Sequence, residues 1–103
     1  MMTQRFAGRS AVITGGASGA GKAVATRLVA EGAKVSIWDL NADATRLAAS
    51  ETGSVDSQVV DVSDANAVEA AARRCADALG TIDLLVCSAG ITGATAPVVE
   101  YPL

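Results

Sequence analysis

Residues 14–21 read Thr-Gly-Gly-Ala-Ser-Gly-Ala-Gly and follow directly on the apolar run Ala11-Val12-Ile13. Gly15, Gly19 and Gly21 carry no Cβ, so the backbone there can turn sharply and come close to a ligand. The following stretch, Lys22 to Val29, has helical patterning, and the first amides of such a helix lack partners and favour an anion. A strand, a glycine loop and a helix in this order form a cradle for phosphate or pyrophosphate, with Ser18 and Ala20 completing the turn. Three glycines at a helix start weaken it by roughly 0.5–1 kcal/mol each relative to alanine, which argues against a turn that binds nothing.

Two phosphate binders share these features. Gly16-Ala-Ser-Gly-Ala-Gly21-Lys22 fits most of a P-loop, but a P-loop next needs a Ser or Thr hydroxyl for magnesium, and Ala23 stands there. The other reading is a dinucleotide fingerprint, spaced Gly15-x-x-x-Gly19-x-Gly21. Asp39 favours it. This carboxylate ends the next apolar run and can accept hydrogen bonds from both hydroxyls of an adenosine ribose. Its neighbour Leu40 is not a cation, so a 2′-phosphate at that place would meet repulsion with nothing to bind it.

The elements that position these residues alternate. Strands are expected at Ser10–Thr14, Lys34–Asp39, Gln58–Asp61 and Ile82–Ser88. Helices are expected at Gly19–Glu31, from a cap at Asn41 through Ser50, and from a cap at Ser63 to about Leu79. The second helix shows Ala44, Leu47 and Ala48 on its apolar side, and the third a stripe of Val68, Ala71, Ala72, Cys75 and Leu79. Parallel strands joined by single helices cross over right-handedly. The expected fold is α/β, the N-terminal half of a Rossmann-type doubly wound parallel sheet, with strand order 3-2-1-4. Residues 91–103, with Pro97 and Pro102, read as irregular.

Composition narrows the function. One hundred and three residues allow one small domain, and the formal charge of −3 without a basic cluster argues against nucleic acid and anionic membranes. The start of the chain has no signal-peptide core, and no apolar run reaches the roughly 20 residues needed to span a bilayer. A soluble, cytoplasmic protein is expected. There is no histidine, so these residues supply no Ser-His-Asp or Cys-His apparatus of their own, and two cysteines without zinc spacing read as reduced thiols.

Taken together the motifs resemble the short-chain dehydrogenase/reductase family, of the single-domain type that includes 3-oxoacyl-carrier-protein reductases and sugar or polyol dehydrogenases. Thr14-Gly15-Gly16-Ala17-Ser18-Gly19-Ala20-Gly21 is similar to that family's Thr-Gly-x-x-x-Gly-x-Gly loop. Asp39 falls on the acidic position of NAD-preferring members. Asp61-Val62 falls on their adenine-contacting pair, and Ala89-Gly90 on a turn whose backbone meets the cofactor ribose. Cys87-Ser88 replace two asparagines of that turn. The resemblance implies NAD as cofactor, hydride transfer to or from an alcohol or carbonyl substrate, and a homo-oligomer.

Family members are far longer. Their catalytic Asn, Ser and Tyr-x-x-x-Lys come later than residue 103, and Tyr101, followed by Pro102, does not fit that motif. Residues 1–103 are therefore expected to be a cofactor-binding Rossmann segment truncated before the catalytic half, inactive alone and with no catalytic residue of its own. The alternative is a free-standing, non-catalytic nucleotide-binding module.

Overall fold

The computed structural model describes residues 6–17, 19–87 and 100–102. In chain order the elements are β1 (Ser10–Thr14), α1 (Gly19–Ala30), β2 (Lys34–Asp39), α2 (Ala42–Thr52), β3 (Asp56–Val59), α3 (Ala65–Leu79), β4 (Leu84–Cys87) and β5 (Glu100–Pro102). They form one sheet of order β3-β2-β1-β4-β5, which contains the expected 3-2-1-4 arrangement. The β1–β2, β1–β4 and β2–β3 pairs are all parallel.

All five residues of β1 are buried, as they must be in a strand with neighbours on both edges and helices on its faces. Its side chains alternate between two apolar clusters. Ala11 and Ile13 pack with Val35 and Ile37 of β2, Ala25 and Leu28 of α1 and Ala48 of α2. Val12 packs on the other face with Trp38, Val60 and the α3 residues Ala71, Cys75 and Leu79. Right-handed crossovers explain the split. The chain moves outward through α1 and α2 and then returns across the sheet through α3, so α3 lies on the opposite face. Among the described residues no helix is long and apolar enough to cross a membrane.

Several local expectations are corrected. β3 is Asp56–Val59 rather than 58–61, because its register opposes Ser36–Asp39. The Ser36 hydroxyl also donates to Asp56 Oδ2 at 2.7 Å, drawing that polar residue into the ladder. Asp64, not Ser63, caps α3: its carboxylate accepts the Asn66 and Ala67 amides at 3.0 and 3.2 Å. Ser63 is already committed to Asp61. On α2, Leu47 is 60% exposed, while Thr45, Ala48 and Thr52 form the buried stripe. The two threonines can be buried because their hydroxyls donate to the carbonyls of Asn41 and Ala48. The Asn41 cap holds as expected, accepting the Ala44 amide at 2.8 Å.

β4 begins at Leu84 because Asp83 is used as a lock. Its Oδ2 accepts the Ser10 amide at 2.8 Å and its own amide donates to the Ser10 carbonyl at 2.8 Å. The expected end of this strand at Ser88 lies outside the described residues. Residues 100–102, expected to be irregular, instead form β5, antiparallel to β4 with Leu85 opposite Tyr101. An edge of unpaired amides and carbonyls favours any returning segment, and an antiparallel strand is what a returning chain supplies. Pro102 lies opposite Leu84 at the strand end, where a missing N–H is tolerated on an edge.

Candidate functional site

Strands β1 to β4 run parallel, so their C-terminal ends share one edge of the sheet, and the segments after β1, β2 and β3 start there. The loop after β1 hangs from the end of β2. The Gly15 amide donates to the Trp38 carbonyl at 2.8 Å and extends the β1–β2 ladder by one bond. Gly15 then turns with φ of +69°, a value that side-chain-bearing residues adopt at a cost. Next, the Ala17 amide donates to Asp39 Oδ2 at 3.0 Å. Gly19 opens α1 with φ of +57°, and no heavy atom lies within 4 Å of where its Cβ would stand. This open flank is what close approach by a ligand requires. Ala20 is exposed and Gly21 is buried in the first turn of α1.

Gly16 is the residue that sequence reasoning passed over. A Cβ there would lie 2.8 Å from Ile37 Cγ2 and 3.2 Å from the Ile13 carbonyl oxygen. The loop thus rests directly on the sheet. The signal was the second glycine of the Gly15-Gly16 pair, but its reason lies 21 positions away at Ile37 and is invisible locally.

Lys22, the residue that gave the loop its P-loop look, reaches sideways to α2 and pairs with Glu51. Asp39 is half-buried. Its Oδ2 takes the Ala17 amide, its Oδ1 the Leu40 amide at 2.8 Å, and its carbonyl the Val60 amide at 2.9 Å. Each carboxylate oxygen so engaged retains acceptor capacity for a hydroxyl. Leu40 is 66% exposed beside it.

Asp61 and Val62 follow β3. Asp61 Oδ1 accepts the Ser63 hydroxyl at 2.6 Å and the Ser63 amide at 2.9 Å. These bonds hold its carboxyl below the ordinary value of 3.8, the hydroxyl contributing most. Val62, Trp38, Thr14 and Cys87 line part of an apolar cavity of about 410 Å³ beside α3. Cys75 is fully buried, and burial pushes its thiol above the ordinary range, the opposite of what a reactive cysteine needs. Asp39 thus closes β2, and Gly15, Gly19, Ala20, Gly21, Leu40, Asp61 and Val62 lie in segments that follow strand ends. Ser18, Ala89 and Gly90 lie outside the described residues.

The pattern of the family described as short chain dehydrogenase matches residues 9–102. The chain belongs to this family. A 2-dehydro-3-deoxy-L-rhamnonate dehydrogenase (NAD(+)) from Sphingomonas sp. (strain SKA58) is 56% identical over 99 residues, covering 96% of this chain and 40% of the relative. A sorbitol dehydrogenase from Cereibacter sphaeroides is 39% identical over 97 residues, covering 93% of this chain and 38% of that protein. Among solved structures, an NAD+-bound xylitol dehydrogenase superposes with a TM-score of 0.80 at 31% identity, over 90% of this chain and 39% of that one. The chain thus spans about 40% of the length of the curated relative it matches at 56% identity.

Proposed function

We propose that this chain is the NAD-binding segment of an oxidoreductase that moves a hydride between a nicotinamide and the carbon of an alcohol or carbonyl. The observation that carries the proposal is the Asp39 carboxylate, held at the end of β2 beside a glycine loop with an open flank at Gly19. In this reading Gly15, Ser18, Gly19, Ala20 and Gly21 bring backbone amides to the pyrophosphate. Asp39 accepts the ribose hydroxyls and Leu40 borders them. Asp61 and Val62 meet the adenine, and the backbone of Ala89 and Gly90 meets the second ribose.

The residues present fit NAD better than NADP. The hydrogen bonds of the Asp39 side chain come from backbone amides, not from cations, so its charge is available to repel a 2′-phosphate. Bound NAD supplies the hydride acceptor, and its reduced form the donor. The chain's own residues hold and orient that group. Proton transfer is assigned to other parts of the whole protein, so residues 1–103 alone are expected to turn over no substrate.

The named relatives act on polyhydroxylated molecules, a deoxy sugar acid in one case and sorbitol in another. A small polyhydroxy alcohol or its carbonyl counterpart is therefore the substrate class to assay first. A homo-oligomer is part of the same reading, on family resemblance. Titration calorimetry of the full-length protein with NAD and NADP tests the core of the proposal: NAD should bind more tightly, and equal affinities would remove the ribose role of Asp39.

A further inference from the structure

We infer that Asp39 is also a positioning residue for the phosphate loop, so that one carboxylate both meets the ribose and fixes where the pyrophosphate can lie. The inference rests on the NAD reading and deepens it. Three amides of the loop face the end of β2. Those of Gly15 and Gly16 point to the Trp38 carbonyl, at 2.8 and 3.5 Å. That acceptor belongs to the main chain and survives any change of side chain. The third amide, Ala17, goes to Asp39 Oδ2 at 3.0 Å across 22 residues of sequence. It lies furthest along the loop, nearest the start of α1.

The loop needs this fastening because it is bounded by two residues at positive φ, Gly15 and Gly19, where glycine has the greatest freedom. Gly16 is pinned from below by Ile37. Beyond Gly16, the Ala17 side chain packs against the core cluster, and the Ala17–Asp39 bond is the hydrogen bond that ties the loop laterally. A loop ordered before the ligand arrives does not pay its ordering entropy on binding. Removing the carboxylate should therefore weaken phosphate binding even for a ligand that never touches Asp39.

Such a ligand is dideoxy-ADP, an ADP without ribose hydroxyls. Calorimetry on the full-length protein would compare wild type, Asp39→Asn and Asp39→Ala, with ADP and with dideoxy-ADP. Both variants lose the same charge, but Asn keeps an oxygen for the Ala17 amide. The expected result is that Asp39→Asn binds dideoxy-ADP at least as well as wild type, while Asp39→Ala binds it roughly 3- to 10-fold more weakly than Asp39→Asn. Equal binding of dideoxy-ADP by the two variants would overturn the inference and leave the ribose role intact. A wild type that binds ADP but not dideoxy-ADP would overturn it as well, since the ribose would then carry binding. A wild type that binds neither would take down the NAD reading itself, and the inference with it. Should Asp39→Ala fold poorly, hydrogen exchange on unliganded wild type decides the matter: the Ala17 amide should be protected, and free exchange would overturn the bond.

Discussion

Asp39 closes β2 and Asp61 follows β3, both at the same edge of the sheet, yet their carboxylates do different work. Asp39 is half-buried and accepts an amide from a loop 22 residues earlier. Asp61 is exposed and accepts the hydroxyl and amide of Ser63, two residues on. A carboxylate bound by distant backbone sets the position of that backbone. One bound by its own turn sets only the turn. Two residues that look alike as cofactor contacts therefore differ in what their loss does to the fold.

The steepest test lies beneath the loop that Asp39 fastens. Gly16→Ala places a Cβ 2.8 Å from the buried Ile37 and should cost about 1–3 kcal/mol, read as a lower denaturation midpoint. A wild-type midpoint would mean the loop does not rest on the sheet. Gly19→Ala comes next. Its Cβ meets open space, but the positive φ costs an L-residue about 1–2 kcal/mol, and a methyl now stands on the ligand flank. NAD affinity should fall more than the melting midpoint does; unchanged NAD affinity would remove Gly19 from the site.

Asp39→Ala should cost about 1 kcal/mol in stability for its lost amide bonds. With Leu40→Arg added at an exposed position, cofactor preference should move toward NADP. Asp39→Asn with Leu40→Arg should bind NADP more tightly than the alanine version, because it keeps the loop fastened. Asp61→Ala should cost less stability than Asp39→Ala, and equal costs would erase the contrast between the two carboxylates.

The smallest effect is acid sensitivity at Asp61. Its folded carboxyl titrates below the ordinary 3.8, so its contribution is present above that pH and lost as pH falls through the folded value. Any gap in melting midpoint between wild type and Asp61→Asn should therefore close as pH drops below 3.8. A gap that widens in acid would contradict the Ser63 bonds.

Most of the sheet could be read from the amino acids. β1 and β2 are apolar runs closed by glycine or aspartate, and their limits come out as expected at Ser10–Thr14 and Lys34–Asp39. Strand order follows from the alternation with helices. At β3 and at Gly16, what local patterning missed has a common cause: the deciding partner is far away in sequence. Asp56 joins β3 because of Ser36, and Gly16 is required because of Ile37. The buried Thr45 and Thr52 of α2 look polar until their backbone acceptors, four residues back, are seen, so patterning alone places Leu47 inside. At the site, residue types and spacing suffice to select the glycines and Asp39. The Ala17–Asp39 bond is a property of the assembled loop and has no local signature.

Trp38 has a practical consequence. It is the sole tryptophan, 3% exposed, with its indole N–H on the Ser36 hydroxyl and its carbonyl on the Gly15 amide. All tryptophan emission from these residues thus originates one residue from Asp39, in a dry and hydrogen-bonded setting. Reduced nicotinamide absorbs where indole emits, so an occupied site should quench this light without moving its colour. Unfolding should shift it to the red as water reaches the ring. Occupancy and integrity would then be separable in one unlabelled cuvette, by intensity and by wavelength.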